Sequence, residues 1–191
     1  MSAALRLASR AVSDAELLEA VAAGDLDALG VIFDRYQPDV RRYLGRLGIP
    51  REDVDDLVQA TFLEVVRAAK RFDPERAARS WLFGIATMMV RRHRRSVSRA
   101  LARLAKWASL ARDEAPDTPA ERFESNETGR RFELAFNELS TKKREVFTLV
   151  VVEGFSGEEA ARELGIPVNT VWTRLHHARR ELRAALEGGT G

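Results

Sequence analysis

The short stretch Leu164-Gly-Ile-Pro167 constrains this chain more tightly than any other. Proline cannot sit inside a continuing helix, because it lacks the backbone N–H and its ring clashes with the carbonyl four residues back. The glycine two positions earlier can take the positive φ of a tight turn at no steric cost. To the left, Ser156-Gly-Glu-Glu159 reads as a capping box, so a helix starts there and must stop at Leu164. A second helix must begin near Asn169 or Thr170. Ala160 and Ala161 leave room for it to cross the first closely, and helix, glycine turn, helix is the helix-turn-helix pattern.

At about 100° per residue, Val171, Leu175, Ala178 and Leu182 fall on one apolar stripe of that second helix. Asn169, Thr173, His176, His177 and Arg180 then face solvent, with Trp172 and Arg179 at the flank. Such side chains bond base edges and phosphates in a major groove. The adjacent His176 and His177 point about 100° apart, and no cysteine stands by to complete a metal site.

The remaining segments carry helical rather than alternating periodicity, and the expected fold class is all-α. Ser13-Asp-Ala-Glu16 is another capping box, Gly24 a helix stop, Asp25 the next cap, and Asp73-Pro74 a cap with proline at the first helical position. The Pro-containing, acidic run after Ala111 has no apolar face and reads as a linker. The expected organisation is a flexible extension over 1–12, a helical domain over 13–110, a linker over 111–129, a smaller domain over 130–187 and a tail over 188–191. The two domains are expected to be independently mobile.

The charge is sorted along the sequence. Its net value is only +2, yet acids crowd the first third, and from Arg67 to Lys106 the bases are opposed only by Asp73 and Glu75. That basic segment suits a polyanion. The same sorting suggests that the two domains attract each other when the chain is free. No cysteine is present, which excludes disulfides and thiol catalysis. The longest apolar run, Trp81 to Val90, is about half of what a bilayer requires and reads as core.

Within Asp55-Asp-Leu-Val-Gln-Ala-Thr-Phe-Leu-Glu-Val-Val66, the helical period buries Val58, Phe62 and Val65, with Ala69 beyond. Asp56, Ala60, Leu63 and Arg67 are left outside, with Gln59 beside them. Further on, Phe72, Trp81 and Phe83 could stack bases, although Trp81 and Phe83 lie in the apolar run and fit a core. The cluster Arg91-Arg-His-Arg-Arg95 lacks opposing acids and fits phosphate contact.

Taken in order, these stretches resemble bacterial RNA polymerase sigma factors, specifically the extracytoplasmic-function group that keeps only regions two and four of the sigma-70 family. The resemblance rests on Gly24-Asp25, Asp55-Asp-Leu-Val-Gln59 with Phe62, Ser80-Trp-Leu-Phe83 with Ile85-Ala86, and Val152-Glu-Gly-Phe-Ser156 running on to Leu164-Gly-Ile-Pro167. Thr170-Val171, Arg174-Leu175 and Ala178-Arg179 complete it.

The resemblance implies a region-two helical bundle and a region-four helix-turn-helix domain. It implies that Asp55, Asp56, Gln59 and Leu63 grip the clamp helices of the polymerase's largest subunit, and that the flap of the second-largest subunit is a further contact. The loop from Phe72 through Arg76 to Arg79 would capture a base flipped from the minus-ten element, and Met88, Arg91, Arg92, Arg94 and Arg95 would lie along the melting junction. Asn169, Thr170, Trp172, Thr173, Arg174, His176, His177 and Arg180 would read the minus-thirty-five duplex. It further implies an anti-sigma partner, no cofactor and no metal, no membrane insertion, a monomer when free, and a cytoplasmic location with the anti-sigma factor able to hold the protein at the inner membrane.

Some positions depart from the family's usual residues. Where Arg-Ile-Ala-Arg-Asn is common, this chain has Gly84-Ile-Ala-Thr87-Met88. Asn169 stands where glycine is usual, Trp172 where lysine or arginine is usual, and His177 where arginine is usual. A consensus promoter therefore does not transfer. Two rival functions are a regulator binding duplex DNA alone, which leaves Asp55 to Phe62 unexplained, and a DNA-acting enzyme such as a recombinase. The enzyme would need a nucleophile with its acid and base, or a carboxylate metal cluster, and the sequence shows neither pattern.

Overall fold

A computed structural model describes residues 12–108 and 127–187, all of them helix, turn or loop. The expected tail, most of the linker and all of the N-terminal extension except Val12 lie outside the described residues. Four helices build the first domain: α1 Asp14–Ala22, α2 Leu26–Arg46, α3 Arg51–Ala68 and α4 Ala78–Ala108, with a 3-10 turn at Ala69–Arg71. The second domain contains α5 Glu127–Glu138, α6 Thr141–Phe147, a π-helical turn at Thr148–Val152, α7 Gly157–Leu164 and α8 Val168–Glu187. Helix α5 begins two residues before the expected end of the linker.

The helix starts follow the local chemistry. Ser13 and Glu16 close one capping box, Ser156 and Glu159 another, and Asp25 accepts from the amides of Asp27 and Ala28. Each satisfies amides that the first helical turn leaves without partners. Gly165 closes α7 with φ at 65°. The next helix starts at Val168, one residue earlier than expected, because the Pro167 carbonyl already accepts from Thr170 and Val171. Asn169 is therefore inside the helix rather than at its cap.

The Asp73-Pro74 expectation is corrected. These residues form a turn, in which Asp73 accepts from Glu75 through its side chain and from Arg76 through its carbonyl. Asx chemistry at Asp-Pro favours a turn as readily as a helix cap. Here α4 begins only at Ala78, where the buried series Ala78, Trp81 and Leu82 starts.

The first domain's core joins Leu18, Ile32, Val40, Tyr43, Leu44, Val65, Leu82 and Phe83, all fully enclosed. Tyr43 stacks at a tilt on Phe83, with centroids 4.7 Å apart, and its hydroxyl meets Thr87 Oγ1 at 2.6 Å. Trp81 and Phe83 are core residues, as the apolar run implied. In the second domain α8 packs against α5, α6 and α7, burying Val171, Leu175, Ala178 and Leu182. The two domains also touch, through α7 lying along α4.

Candidate nucleic-acid interface

Three surfaces gather the residues singled out in the sequence. On α3, Val54, Leu57, Val58, Phe62 and Val65 turn inward and leave Asp55, Asp56, Gln59 and Leu63 on the outside. Leu63 is 53% exposed, although a leucine there gains nothing from water. Asp55 pairs with Arg41 of α2. On the neighbouring helix α2, Phe33 is partly exposed and its ring lies 4.8 Å from that of Phe62.

The second surface is α4 with the loop before it. Phe72 is half-buried, its ring tilted on Trp81 at 4.9 Å. Arg92 and Arg95 are exposed, with Arg92 Nη1 3.6 Å from Glu64, and Met88 is half-buried. Arg76, Arg79 and Arg91 are engaged by the second domain. Arg76 pairs with Glu163. Arg79 Nη2 donates to Glu153 Oε2 at 2.5 Å and Nη1 to the Glu153 carbonyl at 3.1 Å, while Arg46 reaches the other carboxylate oxygen at 2.6 Å.

Arg91 donates to both oxygens of Glu145, at 3.1 and 2.7 Å, and to the Leu164 carbonyl at 3.1 Å. The bonds to Glu145 hold the Arg91 guanidinium above its usual range. Arg94 and Arg144 converge on the Leu47 carbonyl, and burial pulls both below the usual range. Arg79 also lies over the rings of Phe83 and Phe155, 4.7 and 5.1 Å from their centroids.

The third surface is the outer face of α8. Asn169, Trp172, Thr173, His176 and Arg180 are exposed, whereas Thr170, Arg174 and His177 are half-buried. The Thr173 hydroxyl donates back to the Asn169 carbonyl at 2.8 Å. Trp172 is 47% exposed, and its ring leans over Gly157, the first residue of α7. A Cβ at Gly157 would lie 2.4 Å from the indole, so only glycine leaves room for this large side chain.

Sequence reasoning missed the acidic side of the contact between domains. Glu145 is 1% exposed and sits among Val146, Phe147 and Thr148, all buried. In sequence Glu145 follows the charged stretch Thr141-Lys-Lys-Arg144, which reads as a solvated face, and the cation that its burial requires lies 54 residues away and leaves no periodic trace. Also unforeseen was a cleft lined by Phe132, Phe147, Leu182 and Leu186, with Arg179 and Arg183 at its edge. Among the described residues no group of acids and histidines could hold a metal ion, and no helix is long and apolar enough to cross a membrane.

The comparisons with known proteins match this layout. Residues 32–107 fit the profile of sigma-70 region 2, and residues 129–182 that of sigma-70 region 4. The chain is 35% identical to the RNA polymerase sigma factor CnrH of Cupriavidus metallidurans, over 92% of this chain and 95% of that relative. It is 33% identical to the extracytoplasmic-function sigma factor SigM of Mycobacterium tuberculosis, over 91% of this chain and 85% of the relative.

Among solved structures, CnrH in complex with the cytosolic domain of CnrY superposes with a TM-score of 0.64 at 32% identity, covering 93% of this chain and 99% of that one. The sigma factor RpoE of Bartonella quintana, bound to the anti-sigma factor NepR, gives 0.62 at 26% identity, covering 81% and 94%. Regions 2 and 4 stand in order on two helical domains, and full-length relatives match at this level; the chain belongs to the extracytoplasmic-function group of the sigma-70 family and is an alternative sigma factor that directs transcription.

Proposed function

We propose that this protein performs no chemistry of its own and works by bringing core RNA polymerase to particular promoters and holding the melted strand. The observation that carries the reading is the outward face of α3, where Asp56, Gln59 and the 53%-exposed Leu63 stand together while the opposite face builds the core. A DNA regulator acting alone has no use for that face. In this reading it grips the clamp helices of the largest subunit, and the cleft beside Phe132 and Leu182 takes the flap of the second-largest.

The DNA roles divide by strand state. The loop with Phe72 and Arg76, Arg79 in the first turn of α4, and Met88, Arg91, Arg92, Arg94 and Arg95 further along that helix take the minus-ten element as it opens. Flipping a base costs a few kcal/mol of stacking, which an aromatic and cationic pocket offsets. Helix α8 enters the major groove of the minus-thirty-five duplex, with Asn169, Thr170, Trp172, Thr173, Arg174, His176, His177 and Arg180 as its readers. The protein acts in the cytoplasm beside polymerase. The anti-sigma factor bound by the Bartonella relative supports an anti-sigma partner here, able to hold the protein at the inner membrane.

The test is run-off transcription on fragmented genomic DNA with core polymerase, with and without the protein. Discrete new transcripts that vanish with Asp56→Arg or Leu63→Arg are expected. No transcripts, together with retained sequence-specific duplex binding, would leave a stand-alone regulator instead.

A further inference from the structure

Three of the arginines that would touch melted DNA, Arg76, Arg79 and Arg91, are in this structure already paired with acids of the chain itself. Helix α7 lies along α4, with Glu163 against Gly84 and the Leu164 carbonyl accepting from Arg91. Three glutamates of the second domain reach across. Glu163 takes Arg76, Glu153 takes Arg79 and Arg46, and Glu145 takes Arg91, at sequence separations of 54 to 107 residues. These carboxylates stand where phosphates would stand, because a guanidinium presents the same donor fork to both anions. The glutamate side chains are only 1 to 6% exposed and their arginine partners 21 to 40%, so the acids are enclosed by the contact while the cations lie at its edge.

One backbone position decides whether the contact can form. A Cβ built on Gly84 would lie 2.2 Å from Glu163 Oε2 and 3.1 Å from its Cβ. The first clash could be relieved by swinging the carboxylate, but Glu163 is enclosed and its own Cβ is fixed to α7. A methyl at this site would ask Glu163 to give way by a few tenths of an ångström, and a longer side chain such as leucine would hold α7 away from α4. Glycine in a helix interior costs roughly 1 kcal/mol relative to alanine, and the close approach of α7 is what the position gains.

The contact is also built to release. Arg76 Nε, Arg94 Nη1 and Arg144 Nε are buried without a hydrogen-bond partner, and Arg94 and Arg144 bring two cations to the single Leu47 carbonyl. Buried polar groups left unpaired carry their full desolvation cost. The closed arrangement therefore holds costs that separation of the domains removes.

We propose that the chain, free of polymerase, closes on itself, with Glu145, Glu153 and Glu163 masking the arginines of its own minus-ten surface, and that Gly84 is the residue permitting closure. The inference rests on the reading that those arginines meet DNA. Closure at roughly ten to one would weaken apparent strand binding about tenfold, since only the open fraction is competent.

The absence of cysteine allows spin labels to be placed uniquely at Glu19→Cys and Ala184→Cys, both exposed and outside the contact. Distances between them would be measured in the full chain, alongside affinity for a fluorescent single-stranded dodecamer of dA and dT. The expected result is one narrow distance population in the parent chain. Gly84→Leu, which changes no charge, should give a longer, broad population and bind the dodecamer about tenfold more tightly.

The double variant Glu145→Gln with Glu153→Gln should open the chain as well, with circular dichroism checking that helix content is kept. A broad population in the parent chain would overturn closure. A narrow one surviving in Gly84→Leu would overturn the role of Gly84. Opening without a gain in strand binding would overturn masking. None of these outcomes bears on polymerase dependence, which the run-off assay decides separately.

Discussion

Arg91 of α4 and Glu145 of α6 meet as two parallel N–H···O bonds, Nε to Oε1 at 3.1 Å and Nη2 to Oε2 at 2.7 Å. Fork-to-fork geometry of this kind fixes orientation as well as energy. Glu145 is the more enclosed partner, at 1% exposure against 33% for the arginine. Loss of the arginine would strand a carboxylate away from water, which costs on the order of 3–5 kcal/mol when no rearrangement relieves it. Separation of the domains does relieve it. Arg91→Gln is therefore expected to raise the radius of gyration in small-angle scattering while helix content stays that of the parent chain. An unchanged radius accompanied by a lowered melting temperature would mean that Glu145 belongs to a permanent core.

Glu163 holds Arg76 at another corner of the same contact. Burial pushes its carboxyl up from the usual range, and the pull of Arg76 and Arg162 only partly opposes this, while Glu159 adds to it. A carboxyl raised in the closed state favours closure fully below its open-state value and loses that contribution as pH rises through its closed-state value. Between neutral pH and the ordinary carboxylate range, lowering the pH should therefore tighten this corner. Glu163→Gln should alter stability at neutral pH by less than about 1 kcal/mol, the size of one net hydrogen bond. It should also flatten the pH dependence of the melting temperature on that side. A large loss at neutral pH would show that the charged pair itself holds the domains.

The core of the first domain offers a prediction of asymmetry. Thr87 Oγ1 donates to the Phe83 carbonyl at 2.8 Å, so its single hydrogen is used and the Tyr43 hydroxyl must donate to it at 2.6 Å. Tyr43→Phe removes the donor and leaves Thr87 still bonded, at a cost of about 1 kcal/mol. Thr87→Val instead strands a fully buried phenol donor, at a cost of roughly 1–3 kcal/mol. Denaturant midpoints should rank parent, then Tyr43→Phe, then Thr87→Val, and the reverse order of the variants would refute the assigned direction of donation. Thr87 is thus turned inward, which accounts for an uncharged residue where an arginine is usual.

Which features could be read from sequence follows from the range of the interaction involved. The capping boxes at Ser13 and Ser156, the left-handed Gly165 and the buried stripe from Val171 to Leu182 are set by residues within a few positions, and all were legible. Asp73-Pro74 was misread because the same dipeptide serves a turn and a helix start, and burial of Ala78 and Trp81 chose between them. The π turn at Thr148–Val152 was not foreseen either. There Glu153 N reaches the Thr148 carbonyl, and the wider turn carries Glu153 to Arg46 and Arg79. The acid-base contact, the fit of Trp172 over Gly157 and the space at Gly84 depend on residues brought together only by the fold.

Gly157 and Trp172 make that last point testable. Gly157→Ala would place a methyl 2.4 Å from the indole, at the first turn of α7 where alanine is otherwise favourable. The ring must swing away from the helix start. Its fluorescence should shift to the red by comparison with Trp172→Phe, which removes that signal. If Trp172 reads the minus-thirty-five element, duplex binding should change in parallel, measured by anisotropy on a promoter recovered from run-off transcripts. A fluorescence shift with unaltered binding would confine Trp172 to packing.

His177 is half-buried beside the exposed row of α8, its ring 5.7 Å from that of His176. A histidine donates to phosphate or guanine less dependably than an arginine, whose charge is permanent and whose donors are forked. His177→Arg on the same promoter duplex should therefore strengthen binding. If the new cation meets a phosphate, the slope of log affinity against log salt should steepen by about one. If it meets a guanine edge, the gain should be of order 1–3 kcal/mol and confined to sequences carrying that base. Unchanged or weaker affinity on every sequence would place this side chain off the DNA, leaving Asn169, Thr173, His176 and Arg180 as the reading face.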